Sequence, residues 1–402
     1  MSPVSQSRIP LLVGPLLLTG VAAAQGPVFQ SPGMSPYSTL GQTTRFSTDF
    51  NPSLGFVIDA FADYLDADNG DDGFEAEIRV LEFTAAAFVD PNSWAYVAIS
   101  TDDLEGLSVE EAALEYIGFA GNTSLTIGRF FVDFGKQMQE HVEELRTIER
   151  PLVLREYLGE ELGATGLEFN HWFSANEATP IRFSLGVFAS LLEEGHHDDE
   201  EEEAEVRGEV PDRKDIDELS FTSRITGLTD VGEHGTLQLG ASARYVPEFT
   251  FEFQGLEQDG LSNTVYGADI AYLWASESGP ERFLLGGEWL TIDGDLSGQV
   301  DDPNAPTTLS VIDDSANGYY AYGDYQWSEK MSAGVNYSWI ESVENPDDTA
   351  SELDFYVTRR STALRRIRLG VTLADSDAFG DSTRVFLQFT NFFGSYTHGI
   401  NW

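Results

Sequence analysis

Along most of the chain, apolar and polar residues alternate with a period of two. In 331–339 the odd positions carry Met, Ala, Val, Tyr and Trp, and the even positions carry Ser, Gly and Asn. The segments 181–189, 237–245 and 366–373 repeat the pattern. This period predicts β-strands with one apolar and one polar face, because successive side chains of a strand point to opposite sides of the sheet.

The alternation recurs about sixteen times, and the connections between the segments alternate in length. Even-numbered segments are followed by short turns such as 90–92, and odd-numbered segments mostly by longer polar stretches. Short turns at one rim and long loops at the other are typical of outer-membrane β-barrels. We therefore predict an all-β fold, a transmembrane antiparallel barrel of about sixteen strands with long external loops and short periplasmic turns.

The predicted strands are 53–65, 74–89, 93–101, 108–119, 122–130, 164–174, 180–190, 216–227, 235–246, 262–274, 281–292, 316–327, 330–341, 351–359, 363–374 and 382–393. The longest predicted loops are 131–163, 191–215, 247–261 and 293–315.

A soluble β-sandwich is the alternative, and it would bury the apolar face of each strand against a second sheet. The polar faces carry formal charges at mid-strand, which suits a water-filled interior better than a surface. Aromatic residues gather at strand ends, and the chain ends on Trp402. These features favour a barrel with its apolar face towards lipid. The mid-strand charges are Arg182, Arg224, Arg244, Asp269, Glu288, Asp324, Arg366 and Arg368.

The N-terminus has the pattern of an export signal. Arg8 precedes an apolar stretch, and an Ala-Ala-Ala run at 22–24 fits a cleavage site. We predict a signal peptide at 1–24, an N-terminal extension at 25–52 and the barrel at 53–402. An uncleaved anchor helix is the alternative, although the apolar stretch is short for a span.

Composition narrows the function. The 402 residues include no Cys and carry a formal net charge of −46. The absence of Cys excludes thiol catalysis and Cys-based metal sites. The negative charge argues against nucleic acid as a partner, because binding to phosphates requires a basic surface. We therefore expect outer-membrane lipid and small ions or solutes as partners.

Three segments resemble the central signature of the phosphate-selective porin superfamily. Residues 128–136 read Gly-Arg-Phe-Phe-Val-Asp-Phe-Gly-Lys, 148–154 read Ile-Glu-Arg-Pro-Leu-Val-Leu, and 163–167 read Gly-Ala-Thr-Gly-Leu. The resemblance implies a sixteen-stranded outer-membrane porin that can form a homotrimer. It also implies that 131–163 folds into the lumen as a constriction loop. Phosphate selectivity in that family depends on Arg and Lys, whereas this chain has three Lys and very acidic loops. The specificity is therefore not carried over.

The segment 193–203 contains eight acidic residues and two adjacent His residues. Carboxylates and imidazoles together suit divalent cations, with His196, His197, Asp198 and Asp199 as candidate ligands. Neighbouring residues on a flexible loop cannot all converge on one ion, so a solvated acidic loop is the favoured alternative. No cofactor is expected beyond a loosely bound divalent cation.

Charged residues in the predicted constriction loop and on the inner strand faces are candidates for setting pore selectivity. A short surface helix at 137–147 is the alternative for the loop, and wall-to-wall ion pairing is the alternative for each strand residue. The selected residues are Lys136, Glu140, Glu144, Arg182, Arg244, Asp269, Glu288, Asp324, Arg366 and Arg368. The alternation of odd and even positions along the predicted strands places six further residues on the inner face, namely Arg79, Arg224, Arg282, Glu75, Glu77 and Glu168.

The sequence contains no recognisable catalytic motif, so we expect no enzymatic activity. The favoured function is passive diffusion of small hydrophilic solutes and ions, with a cation bias from the acidic mouth. One alternative is a divalent-metal-binding or structural barrel with a closed lumen. The other is an anion porin, phosphate-like in substrate, that uses the lumenal arginines.

Overall fold

The structure is a computed structural model. It describes residues 52–68, 72–101, 106–176, 179–191, 215–253, 256–277, 279–300, 309–362 and 364–394. The predicted signal peptide, nearly all of the N-terminal extension, the acidic stretch of the 191–215 loop and Trp402 lie outside these residues.

Within the described ranges, sixteen antiparallel strands form one closed barrel, in which each strand pairs with its sequence neighbours and β1 pairs with β16. The predicted barrel and strand number are confirmed. The strands are β1 (Ser53–Ala67), β2 (Gly73–Asp90), β3 (Ser93–Ser100), β4 (Ser108–Tyr116), β5 (Thr123–Phe131), β6 (Gly163–Asn176), β7 (Thr179–Phe188), β8 (Ser220–Val231), β9 (Gly235–Phe253), β10 (Leu256–Ala275), β11 (Arg282–Val300), β12 (Leu309–Ser328), β13 (Met331–Glu341), β14 (Thr349–Thr362), β15 (Arg365–Ser376) and β16 (Gly380–Gly394).

The apolar face of the strands points outwards. Leu239, Ile270 and Leu369 are 51%, 50% and 55% exposed, whereas the charged side chains of Arg244 and Arg368 on the opposite face are buried. A sandwich would show the reverse, because water disfavours a continuous apolar belt. The outer belt therefore matches a surface in contact with hydrocarbon.

Strands β9 to β12 extend furthest beyond the length that a bilayer requires. Strands β9 to β12 have 19 or 20 residues each, whereas 9–11 tilted residues are enough to span a membrane. The prediction of long loops at 247–261 and 293–315 is therefore wrong for most of their length, because these residues continue the β9–β10 and β11–β12 hairpins. The hairpins extend beyond the membrane-spanning part by about nine residues, or roughly 20 Å along the barrel axis.

The interior of the barrel contains the segment between β5 and β6, here called the inner loop (132–162). It includes a short 3₁₀ turn (Val142–Glu144) and one helix, α1 (Leu152–Leu158). The alternative prediction of a surface helix at 137–147 is wrong, because this segment consists of turns and the short 3₁₀ element. Among the described residues, no helix is long and apolar enough to cross a bilayer.

The main hydrophobic core lies between the inner loop and the barrel wall. Phe134, Met138 and Val153 of the inner loop belong to one buried cluster with wall residues such as Leu290 and Tyr320. The cluster also includes apolar side chains from the tall hairpins, namely Phe249, Phe251, Leu261 and Leu296. Barrel and inner loop are thus packed as one unit.

Candidate functional site

The inner loop enters the lumen through a tight turn that the wall holds by hydrogen bonds. The backbone N–H of Gly135 donates to Ser242 Oγ (3.0 Å), and that of Lys136 donates to Glu288 Oε2 (3.1 Å). Tyr320 Oη donates to the same carboxylate at 3.0 Å. Gly135 has a φ of 58°, and a Cβ there would lie 2.2 Å from Glu288 Oε1. Glycine is therefore strongly favoured at this turn.

A second set of contacts joins Asp133 to three charged groups of the wall. Its backbone N–H donates to Glu168 Oε2 (3.1 Å), and its carboxylate pairs with Arg182. Arg224 lies 3.5 Å from the same carboxylate and 2.6 Å from Asp269 Oδ2. Charge-assisted bonds of this kind are stronger than neutral ones. The network ties the start of the inner loop to β6, β7, β8 and β10.

The arginines on the other side of the barrel bind the backbone of the inner loop. Arg368 donates to Thr147 O (2.8 Å) and Leu145 O (2.6 Å). Arg366 also donates to two carbonyl oxygens of the loop, including that of Leu145 at 3.5 Å. Arg79 donates to two further loop carbonyls. These guanidinium groups therefore supply hydrogen-bond donors to carbonyl oxygens of the inner loop.

Helix α1 packs against β12 and β13. The N–H of Val153 donates to Ser338 Oγ (3.2 Å), and Tyr157 Oη donates to Glu341 O (2.9 Å). Arg155 pairs with Glu352 on β14. The helix has only two turns and would not be stable alone, so its packing on the wall stabilises it.

One histidine of the inner loop lies inside a group of carboxylates. His141 Nδ1 is 2.9 Å from Glu82 Oε2 and 2.8 Å from Glu110 Oε2, and Nε2 is 3.4 Å from Glu111 Oε2. The buried carboxylate of Glu143 lies close by. Burial alone would lower the pKa of His141, but these carboxylates raise it well above its usual value.

Other charges of the inner loop also have shifted pKa values. Burial lowers the pKa of Lys136 to about 8, with a smaller contribution from the positive charge of Arg146. Burial raises the pKa of Glu144 well above its usual value, and the charge of Glu143 adds to this. Burial likewise raises the pKa of Glu161 to about 8. All three side chains are half-buried.

The inner loop is closely packed inside the barrel. A barrel of sixteen strands spaced about 4.8 Å apart and tilted by 35–45° measures roughly 30–35 Å between opposite backbones. From Phe131 to Arg155, every residue is buried or half-buried, and in the rest of the loop only Glu156 and Glu160 are exposed. Most of the inner loop is therefore packed against the wall or against itself.

The structure places the predicted pore residues on the inner side of the barrel or in the inner loop. Those at the inner-loop contacts are Lys136, Glu140, Arg182, Glu288, Arg366 and Arg368. Arg244 is buried and donates to Asn263 Oδ1 at 3.1 Å. Asp324 is half-buried on the inward face of β12. His196, His197, Asp198 and Asp199 lie outside the described residues.

Sequence reasoning missed the contribution of Glu82, Glu110 and Glu111 to the His141 group. A register shift in the β1–β2 pairing, opposite Asp59 and Phe61, changes which residues of β2 point inwards. Arg79 therefore faces the lumen on an odd position and Glu82 on an even one. Counting odd and even positions therefore fails to predict which side chains point inwards beyond such a bulge.

Comparison with solved structures supports the fold. No family model and no curated protein sequence matches this chain. OprB of Pseudomonas putida is 11% identical, covers 86% of this chain and 94% of its own, and has a TM-score of 0.56. The anion-selective porin of Comamonas acidovorans is 11% identical, with 85% and 99% coverage and a TM-score of 0.54. The outer-membrane channel DcaP of Acinetobacter baumannii is 12% identical, with 87% and 99% coverage and a TM-score of 0.51. The chain thus has the sixteen-stranded barrel fold of outer-membrane porins and channels.

Proposed function

We propose that this protein is an outer-membrane porin-type channel for passive diffusion of small hydrophilic solutes and ions, with the inner loop as its constriction. The observation that carries the proposal is the attachment of the inner loop to both sides of the wall by buried charged groups. A constriction has to keep one position for a pore to have a defined size and field. The predicted signal peptide and the outward apolar belt support a place in the outer membrane.

The channel that we propose has a narrow bore. Because the inner loop leaves little exposed surface between Phe131 and Arg155, the path admits ions and small solutes in preference to larger molecules. Transport through it requires no cofactor, since a channel acts through its size and its field. The trimer implied by the family resemblance remains a prediction, which the mass of the detergent-solubilised protein tests.

A cation bias is the selectivity that we favour. The whole chain carries −46 formal charges, and an acidic surface raises the local concentration of cations. Arg366 and Arg368 would be the carriers of an anion path, but both are bonded to carbonyl oxygens of the inner loop. That arrangement gives them a positioning role and weakens the case for a phosphate-like substrate.

Reversal potential in a planar bilayer tests this proposal. The full-length protein is purified in detergent, inserted into a neutral bilayer and measured under a KCl gradient. We expect small conductance steps and a potential of cation-selective sign. An anion-selective sign would overturn the cation bias and favour the arginine-lined anion porin.

A closed barrel is the second candidate, and the observation that favours it is that every residue of 131–155 is buried or half-buried. A variant in which 137–158 is replaced by a Gly-Ser linker separates the two. If only this variant conducts, the inner loop is a plug and the native protein is a binding or structural barrel. If both conduct and the variant has the larger steps, the inner loop is a constriction.

A further inference from the structure

The His141 group joins the inner loop to the barrel wall with too few hydrogen-bond donors. His141 and Glu143 belong to the inner loop, Glu82 to β2, and Glu110 and Glu111 to β4. One imidazole nitrogen carries at most one hydrogen, yet Nδ1 of His141 faces two carboxylate oxygens within 3 Å. Several buried carboxylates around one imidazole leave a negative charge that a low-dielectric interior strongly disfavours.

One oxygen of Glu82 lacks a hydrogen-bond donor among the described residues. Glu82 is completely buried, and its Oε1 accepts no hydrogen bond from any residue that the structure describes. Buried oxygens are usually satisfied, so an enclosed carboxylate oxygen without a donor indicates an additional ligand. A proton could neutralise one carboxylate but would leave the others. A divalent cation compensates two charges and takes the lone pairs of both oxygens.

The positions of the donor atoms suit such a cation. Glu82, His141 and Glu143 each offer one ligand atom, and these atoms lie within 4.8 Å of one another. Tetrahedral Zn²⁺ with bonds of 2.0–2.2 Å places its ligands about 3.4 Å apart, so small side-chain movements of about an ångström complete the site. The carboxylate of Glu110 also lies 2.8 Å from Nδ1.

The second nitrogen of the histidine supports the same conclusion. Nε2 of His141 is 3.4 Å from Glu111 Oε2, and the other oxygen of Glu111 accepts the backbone N–H of Phe131 at 3.3 Å. Metal-bound histidines commonly donate their second N–H to a carboxylate, which fixes the tautomer and the ring orientation. With Nε2–H directed at Glu111, Nδ1 presents its lone pair to the side where Glu82 lies.

We propose that Glu82, His141 and Glu143 bind one divalent transition-metal cation of the Zn²⁺ type, which fastens the inner loop to β2. Mixed imidazole and carboxylate ligands suit first-row transition metals better than Mg²⁺ or Ca²⁺, which prefer oxygen alone. The proposed ligands differ from the candidate ligands in the acidic stretch at 193–203. Metal binding here does not depend on the proposed channel function, because binding is measured directly.

Calorimetric titration with ZnCl₂ tests the proposal on the full-length protein folded in detergent. The background variant His196→Ala/His197→Ala removes the other adjacent histidines. In that background we expect one Zn²⁺ per chain. Glu82→Gln and, separately, His141→Asn should weaken binding about 100-fold or more, since even outer partners of a metal contribute 10–100-fold. His171→Ala is the matched control and should bind like the background.

Two further measurements exclude a simple loss of folding. Glu82→Gln keeps the size of the side chain, and circular dichroism with heat-modifiable gel mobility verifies the barrel. Protease cleavage of the inner loop should be slower with Zn²⁺ than with MgCl₂ in the background variant, and equal in Glu82→Gln. Absence of Zn²⁺ binding in the background, or unchanged binding in folded His141→Asn, would overturn the site while leaving the channel proposal intact.

Discussion

Replacing Arg368 with Ala should release the inner loop from the β15 side of the wall. Arg368 donates to two loop carbonyls at 2.8 and 2.6 Å, and its own side chain is buried. Hydrogen bonds from a charged group contribute about 1.5–3 kcal/mol each. Removal of the whole guanidinium also removes its desolvation cost. We therefore expect the free energy that holds the loop in place to fall by about 2–4 kcal/mol.

A loss of this size changes populations strongly. Each 1.4 kcal/mol is a factor of ten, so the displaced state of the inner loop should become roughly 30- to 700-fold more populated. In single-channel recordings, Arg368→Ala should show frequent larger conductance steps that are rare in the native protein. The barrel should stay folded, because its strand pairing does not involve this side chain.

Arg365→Ala is the matched control for this variant. Arg365 lies at the start of the same strand, is exposed, and bonds to Asn391 rather than to the inner loop. Its replacement should leave the conductance steps unchanged. If Arg368→Ala and Arg365→Ala give the same recordings as the native protein, the arginine anchors do not hold the constriction, and the reasoning is refuted.

Four other predictions follow from the inner loop and the acidic stretch. Gly135→Ala introduces a Cβ that meets Glu288, at a residue whose φ is 58°. This should lower the free energy of unfolding by about 1–3 kcal/mol and lower the temperature of thermal unfolding. An unchanged melting curve would contradict this prediction. Because burial lowers the pKa of Lys136 to about 8, the channel should lose positive charge between pH 7 and 9. Its reversal potential should therefore become more cation-selective over this range. Lys136→Met should abolish this pH-dependent shift. Between about pH 8 and 10.5 the unfolded chain binds the proton more tightly than the folded one, so the same group should make the unfolding free energy rise with pH. Deletion of 193–203 should reduce the cation bias in the bilayer without changing the conductance steps; an unaltered reversal potential would mean that the bias comes from elsewhere.

The barrel was predictable because the bilayer imposes a simple rule on its strands. Wherever one face meets hydrocarbon and the other meets a polar interior, the residues have to alternate. Above the membrane the rule no longer holds. In 293–300 acidic, small and amide residues interrupt the alternation and leave only Leu296 and Val300 as apolar positions, so this end of β11 looked like a loop although its backbone stays paired with β12.

The candidate site was predictable only in part. The charges of the inner loop and of the wall were identified from their positions, but their partners were not, because a contact such as Arg368 with Leu145 joins residues distant in sequence. Helix α1 was missed since packing on β12 and β13 decides where this segment is helical. Glu82 was missed because the bulge in β2 reverses the parity of the strand.

The packed interior has a consequence for the order in which the barrel assembles. The inner loop is covalently joined to β5 and β6, and its apolar cluster includes residues from β9 to β13. The β1–β16 seam joins the two ends of the barrel and closes it. If the barrel closed first, the inner loop would have to enter it afterwards. Its apolar and charged groups would then lose their water before they could contact the wall. We therefore expect the sheet to form around the inner loop during assembly. The β1–β16 seam should close last.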